Sequence, residues 1–342
     1  MKFECSTQDL FYGLQNATRA LSSRPAMQIL EGVLLSCDED GVLLQCSDGS
    51  LSIKTQVSAT VAEPGQVILP GRLLTEIVRK LPEGTVTFTM NEKMAVTIRC
   101  GQSRSTITGV ATDEFPQMKD LSGTFALHFP QGKLKDMISK VTFAIAVQES
   151  RQALTGCLME VTEDSVTMVA VDSFRLARRT WHTENAANHT LKFVVPAAGL
   201  KEIERILEDS DEPVTFTLGD KHILFSIGDA LLVSRVLEGE FIDWRRVVPT
   251  NCGTVLTANV AELTSSIERV SLIISEKVKS PVRCVFGDNM ADFRTANTIG
   301  SAHDTCSIAG NGGELEIGFN SRYLLDALRV IPSEEVTLEL QN

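Results

Sequence analysis

The sequence predicts an α+β fold made of three tandem copies of one unit, each a pair of helices on antiparallel strands. Three observations carry this reading. A helix–turn–strand phrase occurs three times, as "ILPGRLLTEIVRKLPEGTVTF" (68–88), "VVPAAGLKEIERILEDSDEPVTF" (194–216) and "IGFNSRYLLDALRVIPSEEVTL" (317–338). An earlier helical pattern precedes each copy. A β-rich run with turn signals lies between the two helices of each copy.

The repeated phrase aligns residue by residue. At an offset of 250, Leu74 meets Leu324, Glu76 meets Asp326, Arg79 meets Arg329, Pro82 meets Pro332 and Val86 meets Val336. At an offset of 126, Pro70 meets Pro196 and Leu74 meets Leu200, and the second copy gains two residues before Val214. Apolar spacing at helical period places the earlier helices over 6–21, 131–147 and 259–272. The later ones are expected over 72–81, 199–208 and 321–330. Ser6 with Asp9 resembles a capping box, with Asp in place of Glu. The β-rich runs are split into hairpins by "DEDG", "TEDS" and "GDN".

Each unit is about 125 residues, the size of an ordinary domain. The predicted domains are therefore 1–121, 122–250 and 251–342. The third copy is incomplete by internal comparison. After Val336 it lacks roughly 25–30 residues, two or three strands, that follow Val86 in the first copy. Unpaired strand edges are expected there.

The chain has 342 residues and 43% hydrophobic residues, enough for several cores. No apolar run reaches the ~18–20 residues that span a bilayer. The N-terminus lacks the pattern of a secretory signal, so the expected compartment is the cytoplasm. Eight cysteines are scattered without a CxxC pair and read as small buried hydrophobes. No cofactor motif and no metal-ligand spacing appears. Asp48 and Asp172 recur in "SDGS" and "VDSF", where an aspartate caps its own turn. No catalytic constellation emerges, and the chain is not expected to be an enzyme.

Net charge is −12, which argues against nonspecific nucleic-acid binding on average. The charge is uneven, however. The six helical segments hold 12 basic and nine acidic residues, a net +3, so the remainder carries −15. Solvated helix faces often hold Lys and Arg. The same bias on equivalent helices of three copies also fits a common polyanion, because helices on one face of a sheet point the same way.

The phrases "MKFECSTQDL", "SRPAMQILEGVLL", "ILPGRLLTEIVRKLPEG", "ESRQALTG", "AVDSFRLA", "GEFIDWRRVVP" and "EIGFNSRYLLDAL" resemble the bacterial sliding clamp family, the beta subunit of DNA polymerase III. They occur along the whole chain in the family's order. The resemblance implies a head-to-tail homodimeric ring around double-stranded DNA. Helices line the hole, and the ring tethers the replicative polymerase, the clamp loader and other proteins that carry a clamp-binding peptide.

By the same resemblance, the DNA contacts fall on Arg24, Arg72 and Gln148, with Gln152 and Ala153 where the family has aromatic positions. The partner-peptide cleft falls on Arg151, Leu154, Val171, Ser173, Phe174, Arg175, Leu176, Ile242, Arg246 and Val247. Phe174 stands where the family often has His, and Ile242 where it often has Pro. The ring joint falls on Ser105 and Ile107 on one side, with Leu272 and Ile273 on the other. Two other readings compete: an enzyme of tandem α+β domains, and a non-catalytic protein scaffold that encircles no DNA.

Overall fold

The computed structural model describes residues 1–22, 24–118, 125–148, 150–184, 187, 190–274 and 280–341. The first unit runs β1 (Lys2–Ser6), α1 (Thr7–Ala17), β2 (Gly32–Asp38), β3 (Gly41–Ser47), β4 (Leu51–Val57), β5 (Ala59–Glu63) and β6 (Gly65–Pro70). It continues with α2 (Gly71–Arg79), β7 (Thr85–Met90), β8 (Ala95–Cys100) and β9 (Ser103–Thr108). The second repeats the order with β10 (Phe125–Pro130), α3 (Gln131–Ser139), β11 (Gly156–Val161), β12 (Ser165–Val171), β13 (Leu176–His182) and β14 (Leu191–Pro196). Then come α4 (Ala197–Ile206), β15 (Pro213–Leu218), β16 (His222–Ile227) and β17 (Ala230–Arg235). The third has β18 (Thr254–Asn259), α5 (Val260–Ser271), β19 (Val282–Phe286), β20 (Met290–Ala296), β21 (Ser301–Gly310), β22 (Leu315–Phe319), α6 (Ser321–Leu328) and β23 (Glu335–Leu340).

The six predicted helices all form, five of them shorter than expected and α4 at its expected length but shifted two residues toward the N-terminus. The helix expected over 6–21 ends at Ala17 and tightens into a 3-10 turn at Thr18–Ala20. The one expected over 131–147 stops at Ser139. Val141 sits at φ −125°, and Thr142–Ala144 forms a separate 3-10 turn. The β-branched pair Val141-Thr142 disfavours continuing the helix. The capping box is half made. Ser6 Oγ accepts from the backbone N–H of Gln8 at 3.2 Å and of Asp9 at 3.4 Å, as an N-cap should. Asp9 is one methylene too short to complete the return bond of a Glu.

The strands form four sheets. The first and second units share an eight-stranded sheet in the order β10-β15-β16-β17-β4-β3-β2-β6. Its central seam pairs β17 antiparallel with β4, from Ala230 opposite Thr55 to Ser234 opposite Leu51. A five-stranded sheet, β5-β1-β7-β8-β9, completes the first unit, and a four-stranded sheet, β13-β12-β11-β14, the second. The third unit holds one six-stranded sheet, β22-β19-β20-β21-β18-β23.

The long strand β21 joins both halves of the third unit. Ser301–Ser307 pair with β20, and Ile308–Gly310 pair with β18. Gly310 has φ +142°, and a Cβ there would lie 2.2 Å from the carbonyl oxygen of Val255. Only glycine allows this close crossing. One strand, β23, follows α6, where three follow α2 and α4. It pairs with β18 alone.

Burial follows the strand period. In β4 the pattern alternates strictly, with Leu51, Ile53, Thr55 and Val57 inward. One continuous apolar core spans the first two units and includes Phe3, Phe88, Phe129, Phe216 and Phe225. The third unit has its own, around Leu256, Ile267, Phe286 and Phe293. Seven of the eight cysteines are buried, and Cys252 is half-buried. Asp48 and Asp172 both cap their turns. Each Oδ1 accepts two backbone N–H bonds, from Ser50 and Leu51 and from Phe174 and Arg175 respectively.

The expected boundary at Leu121-Ser122-Gly123 lies outside the described residues. No helix among the described residues is long and apolar enough to cross a membrane.

Candidate DNA-facing surface, cleft and strand edges

The residues expected to meet DNA fall in two places. Arg72, on the first turn of α2, is exposed, and its Nη2 donates to the carbonyl of Ser22 at 3.4 Å. Ser22 lies two residues before exposed Arg24, whose backbone N–H donates to Ser22 Oγ at 3.0 Å, so Arg72 reaches the loop that carries Arg24. Gln148 holds the position equivalent to Arg24 in the second unit, at an offset of 124, and is also exposed. Gln152 is exposed on the neighbouring 3-10 turn. Ala153 corrects the expectation. It is 2% exposed and packs among Leu154, Leu158 and Val194, because the 3-10 turn rotates it into the core.

Several helix cations are already neutralised. Arg79 pairs with Glu76, Lys140 with Asp136, Arg205 with Glu202, Arg269 with Asp304 and Arg329 with Glu268. Arg72, Lys80, Lys133, Lys135, Lys201 and Arg322 form no ion pair among the described residues, while Arg19 faces Glu202 at 3.6 Å. These six unpaired helix cations, with Arg24 on the adjoining loop, are left to act on an external anion.

The partner-cleft residues divide around the Asp172 turn. Leu154 and Val171 are buried in an apolar cluster with Leu158, Val194 and Trp244, and Leu176 and Ile242 pack against it. Val247 is 57% exposed at its edge. Arg151 and Arg246 are exposed, and Arg246 pairs with Asp243 at 2.9 Å. On the other side of the turn, Ser173, Phe174 and Arg175 line a cleft of about 1220 Å3 between the second and third units. Gln148 lines the same cleft. Phe174 is 78% exposed, with its ring centroid 5.8 Å from that of Tyr323.

Arg175 is not a free cleft residue. Its Nε donates to Asp172 at 3.0 Å, Nη1 to Asp326 at 2.8 Å and Nη2 to the carbonyl of Phe143 at 2.6 Å. Its guanidinium carbon lies 4.4 Å from the Tyr323 ring centroid. It ties α6 to the second unit. The Arg expected to fix a peptide therefore acts first as a fastener between units.

Trp244 and Glu160 escaped sequence reasoning. Trp244 Nε1 donates to Glu160 at 3.4 Å, and Arg245 grips the same carboxylate through Nη2 at 2.8 Å and Nη1 at 3.1 Å. The Arg245 bonds hold the Glu160 carboxyl below the usual carboxylate range, against the opposing effect of burial. A tryptophan beside two arginines in "DWRR", one of two in the chain, was the available signal.

The joint residues lie at the two ends of the chain's domain order. β9 pairs with β8 only, so the strand carrying Ser105 and Ile107 has an open edge. Ile107 itself is 9% exposed and belongs to the core, while Ser105 is half-buried. Leu272, just past α5, is 83% exposed. Ile273 follows it, and its carbonyl accepts from Asn297 Nδ2 at 2.7 Å. Ile299, 71% exposed, lies two residues beyond Asn297 and extends this apolar end. It too went unread, since a lone apolar residue in a "NTIG" turn carries no pattern.

Comparison with known proteins agrees along the whole length. Three family profiles match in order: the DNA polymerase III beta subunit N-terminal domain over residues 1–119, the central domain over 128–243 and the C-terminal domain over 245–342. A beta sliding clamp of Staphylococcus aureus is 30% identical over 349 aligned positions, covering 99% of this chain and 92% of that protein. Among solved structures, a putative DNA polymerase III beta subunit from Eubacterium rectale has TM-score 0.96 at 31% identity, covering 99% of this chain and 92% of its own. The DNA polymerase III subunit beta from Pseudomonas aeruginosa has TM-score 0.95 at 28% identity, covering 100% and 93%. The chain belongs to the DNA polymerase III beta subunit family, the beta sliding clamps.

Proposed function

We propose that two copies of this chain close head to tail into a ring around duplex DNA and act as a non-catalytic processivity subunit. The β17–β4 seam carries this reading. It joins the third strand after the second helix of one unit to the third strand after the first helix of the preceding unit. The same two strand types stand open elsewhere in the chain: β9 in the first unit, and Ser301–Ser307 of β21 in the third. A contact between unlike surfaces that closes after two copies makes a ring.

The internal seam supplies the register. Ala230 opposite Thr55 and Leu232 opposite Ile53 translate to Ser103 opposite the partner copy's strand at position 304, and Ser105 opposite position 302. At the first joint Arg19, past α1, faces Glu202 on α4 at 3.6 Å. The equivalent of Arg19 is Leu272, and the equivalent of α4 is α2. Leu272 and Ile273 are thus set against the α2 face that carries Leu73, 49% exposed, and Ile77.

Arg24, Arg72 and the other unpaired helix cations would meet phosphates weakly and without sequence preference. Topological enclosure, not affinity, would hold the ring, which leaves it free to slide. Leu154, Leu176, Ile242 and Val247 offer apolar ground for a partner's aliphatic and aromatic anchors, with exposed Arg151 and Arg246 at the edge. A related sliding clamp from Pseudomonas aeruginosa has been solved bound to griselimycin. We place the chain in the cytoplasm with the DNA, the polymerase and the clamp loader it would serve.

The test is retention on DNA. After loading onto a nicked circle, the ring stays on the circle and is lost on linearisation. Equal retention on circular and linear DNA, or none on either, overturns encirclement and favours a scaffold.

A further inference from the structure

A groove of about 600 Å3 runs along the first unit, between the 3-10 turn Gln28–Glu31, the end of β6 and the chain leaving β9. Its floor is apolar. Ile68 is 2% exposed and packs with Leu34, Phe115 and Ile29. Val110, 53% exposed, exchanges two backbone hydrogen bonds with Ile68 at 3.0 and 3.1 Å. The rim is acidic. Glu31, Asp113 and Glu114 are exposed, and among the described residues none of them forms an ion pair and no Lys or Arg lines the groove.

The second unit contains the same framework, but filled. Val194 and Leu237 form the matching isolated bridge, and Leu158 and Phe241 match Leu34 and Phe115. There the apolar cluster also takes in Ile242 and Trp244, which is 6% exposed. At the matching positions the first unit has Pro116 and Met118, and neither joins its cluster. The first unit thus builds the walls of an apolar site and omits the side chains that would fill it.

We propose that this groove binds an extended protein segment with one large aliphatic or aromatic side chain flanked by Lys or Arg. The anchor packs on Ile29, Ile68 and Val110, and the flanking cations face Glu31, Asp113 and Glu114. Unpaired carboxylates beside a low-dielectric floor attract cations more strongly than carboxylates in open water do. The same carboxylates repel nucleic acid and anionic lipid, which leaves a basic protein segment as the occupant. The site lies in a different unit from the proposed second-unit cleft and does not depend on it.

Methyl NMR of the full chain tests this with three amidated hexapeptides, KKLFKK, EELFEE and KKSSKK. KKLFKK shifts the methyls of Ile29, Ile68 and Val110, and each control binds at least about tenfold more weakly. In an Asp113→Lys, Glu114→Lys double variant, affinity for KKLFKK falls at least about tenfold, while the other methyl resonances and the melting temperature stay in place. The proposal is overturned if KKLFKK shifts nothing, shifts only Leu154, Val171 and Leu176, or is unaffected by the charge reversal. Equal binding of KKSSKK or EELFEE overturns it as well.

Discussion

Arg175 and Asp326 pair across the joint between the second and third units, Nη1 to Oδ2 at 2.8 Å, from opposite sides of a wide cleft. Both side chains are mostly shielded, at 18% and 23% exposure. Removing the arginine leaves Asp172 and Asp326 facing each other without a cation. An Arg175→Met variant should lose about 2–3 kcal/mol. A double-mutant cycle with Asp326→Asn, read by chemical denaturation, should give a coupling of about 1 kcal/mol or more. A coupling near zero would show that the third unit is held by other contacts.

Glu160 predicts a pH dependence. Its folded-state carboxyl is held below its ordinary value by Arg245. Its stabilising contribution is therefore fully present above the ordinary carboxylate value near 4.5, and is lost as pH falls through the lower folded value. Glu160→Gln should cost about 1–3 kcal/mol at neutral pH. It should also flatten the fall in unfolding midpoint between neutral and acid pH, measured by denaturant titration across that range.

The ring joint can be broken without touching a core. Leu272 is 83% exposed in the single chain, so Leu272→Asp should change monomer stability by no more than about 0.5 kcal/mol. Buried against α2 of a partner, the same aspartate would be an uncompensated charge. The variant should sediment as monomer at concentrations where the parent is a dimer. A variant that still dimerises would move the joint elsewhere.

Arg24→Ala and Arg72→Ala should weaken DNA contact evenly across sequences. Each should reduce the slope of log affinity against log salt by about 0.9. Both side chains are exposed, so the melting temperature should hold. An unchanged salt slope in the double variant would remove these two residues from the DNA surface.

The thiols should be almost inert in the native protein. Burial pushes Cys5 and Cys284 up to about 12 and Cys306 up to about 11. Only Cys252 is not buried. A thiol reagent should label one site per native chain and eight after denaturation. Rapid labelling of several native thiols would contradict the packing described.

The repeat was legible because it is written in periodicity, with Leu74, Leu200 and Leu324 at the same helical position and Pro82 and Pro332 at the same turn. The hairpins β2–β3, β11–β12 and β19–β20 followed from the turn signals "DEDG", "TEDS" and "GDN". The seam between units was not legible. Nothing in "LSIKTQV" or "ALLVSR" says that β4 and β17 pair, since an edge strand and a central strand alternate in the same way. Ala153 was misjudged because a 3-10 turn places successive residues about 120° apart, so exposed Gln152 and buried Ala153 are neighbours. Arg175 and Asp326 were both noticed, but for other reasons. Their pairing spans 151 residues and no local pattern carries it.

The two joints within the chain resist deformation by different means. Between the first and second units, a row of backbone hydrogen bonds loads in parallel, so shear there must stretch all of them together. Between the second and third, among the described residues, no strand ladder crosses, and the Arg175 guanidinium with its ring and carboxylate contacts, beside the Phe174–Tyr323 ring pair, bears the strain. A side-chain fastener can pivot where a ladder cannot. Bending stress applied to the chain should therefore concentrate at the second joint, where Arg175 sits, and spare the strand seam.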